Sequence, residues 1–335
     1  MSRFLSLGLL LVTTSTMNTQ EAAFELGPDS HRQPGVPRGE IIPLRWETSE
    51  VYPNTERDWW IYVPAQYDGE TPTALMVFQD CAMYLDEEGS VRVSVVFDNL
   101  IQSGEMPVTI GVFINLGRFT NDGPNSPARN RSTEYDTLSD QYARFLLDET
   151  IPGVRKTYQI TDDPDGWAIG CISSGGICAF TVAWERPDKF RKVVSHVGSF
   201  TNIRGGHVYP DLIRRSAPKP IRVFLQDGTH DLNLRFGNWW LANQQMADSF
   251  AFAGYDVKTA WGEGGHNLEH GGALFPDTMR WLWRDYRPGS VAPLRALNSA
   301  AESAPVRRTR GPDRRSGSST RASYSAESPH RPDDA

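Results

Sequence analysis

The sequence predicts an α/β fold, a three-layer sandwich in which helices cover a mostly parallel sheet that carries an antiparallel hairpin at its N-terminal edge. Between residues 40 and 288, short β-rich apolar runs bounded by Gly, Pro or Asp alternate with stretches of helical periodicity. No internal repeat or composition break divides this region. The first two runs are joined only by "TSEVYPNTER", which favours a hairpin at one edge of the sheet.

The predicted strands and helices follow one another in a regular order. The strands are "IIPLRWE", "DWWIYVP", "TALMVFQ", "VTIGVFIN", "GWAIGC", "KVVSHVG", "IRVFLQ" and "YDVKTAW". The helices are "SDQYARFLLDETIPGVRKTY", with an N-cap serine, and "GGICAFTVAWERP", "NWWLANQQMADSFAFAG" and "FPDTMRWLWRDY". Because the helices separate successive strands, most strand pairs should be parallel.

Composition excludes several classes of function. The 335 residues carry a formal net charge of −7, which argues against a nucleic-acid or anionic-membrane partner. No apolar run approaches the roughly 18 residues that a membrane span needs. Three cysteines cannot all pair, so the chain is not a disulfide framework.

The two ends of the chain differ from its centre. Residues 1–22 place Arg3 before an apolar run from Phe4 to Val12, the pattern of a signal peptide, and predict a periplasmic or secreted protein. The alternative is a cytoplasmic protein whose translation starts at Met17. Residues 23–39 predict an irregular lead-in, and residues 289–335, rich in Ser, Arg, Pro and Gly, predict a disordered tail.

The stretch "CISSGG" joins a buried strand to a helix, the context in which a sharp turn presents a nucleophilic serine. Such a turn requires small residues two positions before and after the nucleophile. Ser174 would place bulky Ile172 at the first of these positions, so Ser173 is the predicted nucleophile. The alternative is a connection that merely starts a helix or cradles a phosphate, but the nucleotide-binding glycine motifs are absent from the sequence.

A serine hydroxyl needs a histidine to remove its proton and a carboxylate to orient that histidine. "DGTHD" follows one later strand and offers Asp227 and Asp231, while "GEGGHNLEHGG" follows the next and offers His266 and His270. "HNLEH" also matches a zinc-peptidase pattern, but the glycines on both sides disfavour the helix that this metal site needs, so no metal is predicted. The second partner of an oxyanion should be the backbone N–H of Cys81 or Ala82, beside that of Ser174.

Several segments together resemble the esterase D family of α/β hydrolases, and its enterochelin-esterase-like and feruloyl-esterase-like branches in particular. They are "VFQDCAMY", "RNRSTEYD", "ISSGGICAFTVAWERPDKF", "SHVGSFTNIRGG" and "GGHNLEHGG", within a predicted esterase domain at 40–288. The resemblance implies hydrolysis of a small-molecule carboxylic ester through an acyl-enzyme, without a cofactor. It implies Ser173 as nucleophile, Asp231 as acid with Asp227 as second choice, and His266 as base.

Two departures from the family pattern concern cysteines. The family has glycine where this chain has Cys81 and Cys171, and the strands before these residues are neighbours in the implied fold. The resemblance therefore suggests a disulfide between Cys81 and Cys171, with two buried thiols as the alternative. Cys178 is expected to be a small core residue.

The substrate pocket is less well defined by the sequence. The resemblance suggests that Arg131 and Glu134 shape it, although a salt bridge that anchors their loop is an equal alternative. Trp239 or Trp240 could form a wall of the pocket, but tryptophans at the start of a helix more often lie in the hydrophobic core. A siderophore-like ester and a feruloyl or acetyl sugar ester both remain open, as do an acyltransferase with the same triad and a non-catalytic binding protein.

Overall fold

The computed structural model describes residues 24–80, 82–120 and 127–288. The strands are β1 (Glu40–Trp46), β2 (Thr55–Val63), β3 (Ala74–Gln79), β4 (Thr109–Ile114), β5 (Arg118–Phe119), β6 (Trp167–Ile172), β7 (Lys192–His196), β8 (Arg222–Gly228), β9 (Asn233–Leu234), β10 (Gly237–Asn238) and β11 (Asp256–Gly262). The helices are α1 (Ala82–Leu85), α2 (Val93–Gln102), α3 (Pro127–Tyr135), α4 (Gln141–Arg144), α5 (Ile151–Arg155), α6 (Ser174–Glu185), α7 (Tyr209–Arg215), α8 (Trp239–Ala253), α9 (Glu269–Ala273) and α10 (Phe275–Trp283).

The main sheet follows the spatial order β1-β2-β4-β3-β6-β7-β8-β11, with the short β5 paired to β2. β1 and β2 form the predicted antiparallel hairpin, and β2 continues antiparallel to β4. In the rest of this spatial order, each strand from β4 through β3, β6, β7 and β8 to β11 is parallel to its neighbour, which confirms the predicted mostly parallel sheet. The carboxyl ends of β3, β6, β7 and β8 therefore meet at one edge of the sheet. β9 and β10 form a separate antiparallel pair.

Apolar layers cover both faces of this sheet, as the three-layer prediction requires. On one face, Phe180 and Phe250 pack with Leu75 and Val193 from the strands. On the other face, Phe97 and Trp283 pack against Phe78 and other strand residues. β3, β4, β6 and β7 are buried along their whole length, which explains why their sequences are continuous apolar runs rather than alternating ones.

The helical segments differ from the sequence prediction in several places, and α2 and α7 were not predicted. "RNRSTEYD" belongs to α3 and is not an extended connection. The predicted helix after Ser139 comprises α4, a π-helical stretch Phe145–Thr150 and α5. The π-helical stretch ends two residues before Pro152, which has no backbone N–H to donate to a helical hydrogen bond. α9 forms within "HNLEHGG" despite the glycines, although it is five residues long and begins after His266.

The lead-in from residue 24 to 39 contains one 3-10 turn, Pro28–Ser30, and is tied to the domain by polar contacts. Arg32 pairs with Glu87 and Asp98, and Asp29 pairs with Arg280. The predicted signal peptide and the predicted tail lie outside the described residues. Within the described part of the chain, no helix is long and apolar enough to cross a bilayer.

Candidate active site

Ser173 occupies the sharp turn between β6 and α6. Its backbone has φ 60° and ψ −125°, a conformation that a residue with a side chain adopts only under strain, at a cost of about 1–3 kcal/mol. Two backbone hydrogen bonds hold it there. The Ser173 N–H donates to His196 O at 2.9 Å, and the Ser199 N–H donates to Ser173 O at 3.0 Å. Ser174 is instead the first residue of the helix and is buried.

The glycines after the turn are required because neighbouring side chains leave no room for a Cβ atom. A Cβ atom on Gly175 would lie 2.7 Å from both Cβ and Sγ of Cys171. A Cβ atom on Gly176 would lie 2.5 Å from Ser195 Oγ. The positions two before and two after Ser173 thus pack directly on each other, and with cysteine at the first of them the second must be glycine.

The structure brings Ser173, His266 and Asp231 together in one line of hydrogen bonds. His266 Nε2 lies 2.8 Å from Ser173 Oγ, and His266 Nδ1 lies 2.6 Å from Asp231 Oδ1. An ionised carboxylate can only accept, so Nδ1 carries the proton that it donates to Asp231. Nε2 is then left as an acceptor for the Ser173 hydroxyl. This is the arrangement that general-base activation of a serine needs.

Asp227, the second choice for the acid, is not the carboxylate at His266 Nδ1, which is that of Asp231. Its side chain is completely buried and is in hydrogen-bond contact with Asp231. Burial, together with the neighbouring Asp231, raises the pKa of Asp227 to about 9. Asp231 accepts from His266 and from the Leu232 N–H at 2.5 Å. Asp227 is therefore the neutral member of the pair at pH 7 and donates to Asp231.

His270, the second histidine of the loop, points away from the serine. Its Nδ1 lies 3.1 Å from Gln226 Nε2, and its ring stacks on Phe24 with the centroids 4.3 Å apart. Of the two histidines that the loop offers, His270 is therefore not the one that contacts the serine. Among the described residues no group of three or more His, Cys, Asp or Glu side chains could hold a metal ion.

The segment predicted to complete the oxyanion site starts after β3. The Ala82 N–H begins α1 and lies 3.4 Å from Asn115 Oδ1, a long contact. Gln79, the last residue of β3, donates from Nε2 to Gly175 O at 2.6 Å and so ties this strand end to the serine turn. Cys171 Sγ contacts Gln79 O. Cys81 lies outside the described residues, so its disulfide with Cys171 stays a prediction.

The residues predicted for the pocket take three different positions. Arg131 is partly exposed and pairs through Nε with Asp80 Oδ2 at 2.6 Å, just before the oxyanion segment. Glu134 is fully buried and pairs with Arg57 at 2.8 Å, so it does not face solvent or a substrate. This contact matches the alternative of an anchoring salt bridge. Trp239 is also buried, with its indole at the edge of the His266 ring.

An open cavity of about 240 Å³ lies beside α1. Its lining comprises Asp58, Asp80, Ala82, Met83, Asn115, Leu116 and Arg118. Ala82 belongs to this lining, so the cavity adjoins the predicted oxyanion segment. It carries charges of both signs beside three apolar side chains.

Ser199 was not predicted as a site residue, although its hydroxyl lies 3.2 Å from Ser173 Oγ. A polar role for Trp239 was not predicted either, although its Nε1–H donates to Ser199 Oγ at 3.0 Å. "SHVGSF" contains the available signal, a polar residue directly after a buried strand at the same sheet edge as the serine turn.

Comparison with known proteins points in the same direction. The model of the family described as "Putative esterase" matches residues 50–286. The iron(III) enterobactin esterase of Dickeya dadantii (strain 3937) is 22% identical over 259 residues, which are 72% of this chain and 54% of that protein. This chain thus spans about half the length of that relative.

Solved structures share the fold. The enterobactin esterase from Shigella flexneri aligns with a TM-score of 0.59 at 21% identity, over 76% of this chain and 62% of that chain. The ferulic acid esterase from Anaeromyces mucronatus aligns with a TM-score of 0.59 at 17% identity, over 75% and 93% of the two chains. The fold is thus that of the α/β hydrolases. Since the matching model covers well over half of the chain, the chain belongs to the "Putative esterase" family.

Proposed function

We propose that this protein is a serine carboxylic-ester hydrolase that acts through an acyl-enzyme, with Ser173 as nucleophile, His266 as base and Asp231 as acid. The observation that carries this proposal is the pair of hydrogen bonds of 2.8 and 2.6 Å that runs from Ser173 through His266 to Asp231. The strained backbone of Ser173 gives independent support, because strain of this kind concentrates at functional sites.

The proposed reaction has two halves. His266 Nε2 takes the proton of Ser173 Oγ as that oxygen attacks the ester carbonyl, and the leaving alcohol departs with the proton from His266. Water then attacks the acyl-enzyme while His266 takes its proton, and Ser173 leaves as the free hydroxyl. Asp231 stabilises the imidazolium that forms in each half.

Negative charge on the carbonyl oxygen needs N–H donors in both halves. The Ser174 N–H, at the start of the twelve-residue α6, is the first proposed donor, and the helix dipole favours negative charge there. The N–H of Cys81 or Ala82 is the second. The Gln79 and Arg131 contacts would fix this segment relative to the serine turn.

The proposed substrate is a siderophore-like ester or a feruloyl or acetyl sugar ester. The relatives named enterobactin esterase and ferulic acid esterase support these two classes. The charged side chains of the cavity beside α1 suit a substrate rich in hydroxyl or charged groups.

Hydrolysis of p-nitrophenyl acetate by purified wild type, Ser173→Ala and Ser174→Ala tests the proposal. Ser173→Ala should lower kcat by about 10⁵-fold, since it removes the nucleophile. Ser174→Ala keeps its backbone N–H and should retain most of the activity. The assignment is wrong if Ser174→Ala is inactive while Ser173→Ala still turns over, and a wild type that neither hydrolyses the ester nor reacts with a fluorophosphonate refutes the activity itself.

The substrate class needs a second experiment. Feruloyl, acetyl-sugar and siderophore esters should be compared by kcat/KM under one set of conditions. A preference of 100-fold or more for one class would identify it. Product analysis with an added sugar acceptor separates hydrolysis from acyl transfer.

A further inference from the structure

Ser199 lies on the loop after β7 and contacts the proposed nucleophile through both its main chain and its side chain. Its N–H donates to Ser173 O at 3.0 Å, and its Oγ lies 3.2 Å from Ser173 Oγ. The side chain is completely buried. Within the part of the chain that the structure describes, the other side-chain partner of Ser199 Oγ is Trp239 Nε1, at 3.0 Å.

The direction of these hydrogen bonds follows from the chemistry of the two end groups. An indole N–H can only donate, so Ser199 Oγ accepts from Trp239 and has its own proton left to give to Ser173 Oγ. At the other end, Asp231 accepts a hydrogen bond from the Nδ1–H of His266, so Nε2 must accept from Ser173. The hydrogen bonds therefore form one chain with a single direction. Trp239 donates to Ser199, Ser199 to Ser173, Ser173 to His266, and His266 to Asp231.

The protein holds Ser199 in place from several sides. Asn243 in α8 donates to Gly198 O at 2.9 Å and to Trp239 O at 3.1 Å, and so fastens the Ser199 loop to the start of the helix that carries Trp239. Val197, two residues before Ser199, has φ 42°, which is a genuine outlier for a β-branched residue. Strain that a buried, hydrogen-bonded loop maintains is typical of a functional position.

We propose that Ser199 is a further catalytic residue that donates a hydrogen bond to the nucleophilic oxygen of Ser173, and that Trp239 is the positioning residue that fixes this direction. The inference rests on the proposed esterase function. With one lone pair of Oγ engaged by Ser199 and its proton held by His266, a single lone pair remains for attack on the carbonyl carbon. Ser199 keeps its own proton throughout the reaction.

The hydrogen bond acts at the two moments when Ser173 Oγ carries negative charge. In acylation the Oγ–H bond breaks toward His266 Nε2 while the Oγ–C bond forms. In deacylation the Oγ–C bond breaks and Oγ regains a proton from His266. The separation of 3.2 Å is long for an O–H···O bond and should shorten as charge develops on Oγ, since hydrogen bonds to charged groups are shorter and stronger.

The test compares kcat and KM for p-nitrophenyl acetate in wild type, Ser199→Ala, Ser199→Cys, Trp239→Phe and the double variant Ser199→Ala/Trp239→Phe. Ser199→Ala should lower kcat about 10- to 100-fold, as expected for loss of a hydrogen bond to a charged group, with little change in KM. Ser199→Cys, which keeps the shape and a weaker donor, should lie between. Trp239→Phe should lower kcat a few-fold, and adding it to Ser199→Ala should cause no further loss, because Trp239 acts through Ser199.

Ser195→Ala is the matched control. Ser195 is a completely buried serine four residues away, and its Oγ has no hydrogen-bond partner among the described residues. The kcat of Ser195→Ala should equal that of wild type. If Ser199→Ala keeps kcat within twofold of wild type, or if the two variants lower kcat independently, the proposal is overturned. Should Ser199→Ala not fold, an unchanged kcat in Ser199→Cys would overturn it equally.

These outcomes are distinct from failure of the proposed function. If wild type shows no hydrolysis and no fluorophosphonate labelling, the esterase itself is refuted, and Ser199 has no nucleophile to assist. If wild type is active and Ser173→Ala is not, the esterase stands and the Ser199 series decides the further inference alone.

Discussion

Single atoms decide the geometry at the serine turn. The residue two positions before Ser173 is a cysteine, and its Sγ fills the space into which a side chain at Gly175 would project. The requirement for small residues is therefore a joint property of both positions rather than a rule for each. A larger group is tolerated on one side only when the other has no Cβ.

Gly175→Ala tests this joint requirement. The new Cβ would lie 2.7 Å from Cβ and Sγ of Cys171, so the turn must shift. We expect the free energy of unfolding to decrease by about 1–3 kcal/mol and kcat to fall. The double variant Cys171→Gly/Gly175→Ala removes the clashing atoms and should recover part of both losses. Urea denaturation and p-nitrophenyl acetate turnover measure the two effects, with Cys171→Gly alone as control. A double variant worse than the sum of the single ones would contradict this account.

At the level of elements, α3 shows why part of the structure could not be predicted. Its sequence, "PARNRSTEY", has no apolar periodicity, so nothing in the pattern indicates a helix. Buried polar contacts hold it instead. Glu134 pairs with Arg57 of β2 and also accepts from the Asn130 amide and the Gly117 N–H. Contacts of this kind join residues far apart in the chain and leave no local signal.

The strands that carry the candidate site were predictable for the opposite reason. β3 and β6 are largely apolar runs followed directly by Asp80 and Ser173, and β8 is largely apolar before its end at Asp227 and Gly228. Parallel pairing then places the ends of these strands together. Chain order therefore places Ser173 at one edge with Asp227 or Asp231 and with His266 or His270, while the choice of Asp231 and His266 comes from the family resemblance. Ser199 could not, because its significance depends on the indole of Trp239, forty residues away.

The Arg57–Glu134 pair provides a test of how α3 is held. Both side chains are almost completely buried, so Arg57→Met leaves an unpaired buried carboxylate and should cost about 3–5 kcal/mol of unfolding free energy. Adding Glu134→Gln removes that charge while keeping a partner for the Gly117 N–H, and should restore part of the stability. Urea denaturation of both variants measures this. If the double variant is no more stable than Arg57→Met, the buried charge is not the cause.

Activity distinguishes this anchoring role from the pocket role that the sequence analysis considered for Glu134. Glu134→Gln should leave KM for p-nitrophenyl acetate and for the preferred natural ester within about twofold of wild type, since the side chain does not face solvent. An increase in KM for the larger ester alone would instead indicate a substrate contact.

Across the whole molecule, buried titratable groups set how stability depends on pH. Burial lowers the pKa of His196, which lies beneath the serine turn with Nδ1 3.0 Å from Tyr84 Oη, to about 3. The unfolded chain takes up this proton near pH 6.5, so His196 reduces stability as pH falls below that value. Burial lowers the pKa of Lys192 to about 8, so its cost to stability is constant below that pH and is relieved only as pH rises from 8 toward 10.5. Between these ranges Asp227 should dominate.

Asp227→Asn isolates that contribution. The folded protein holds the Asp227 proton up to a pKa of about 9, whereas the unfolded chain releases it near pH 4. A pKa raised by folding gives stability that is fully present below pH 4 and is lost as pH rises toward 9. Asparagine does not titrate but still donates to Asp231. The free energy of unfolding of Asp227→Asn should therefore rise relative to that of wild type by up to about 1.4 kcal/mol per pH unit between pH 5 and 8.

Urea denaturation of both proteins at pH 5, 6, 7 and 8 measures this difference, and the effects of His196 and Lys192 cancel because both proteins share them. The kcat of Asp227→Asn at pH 7 should stay within several-fold of wild type, since the hydrogen bond to Asp231 is kept, whereas Asp231→Asn should lose about 10⁴-fold through the wrong histidine tautomer. Parallel stability curves for wild type and Asp227→Asn would mean that Asp227 is ionised in the folded protein. In that case the charge of the acid pair, and with it the support of His266, would have to be reassigned.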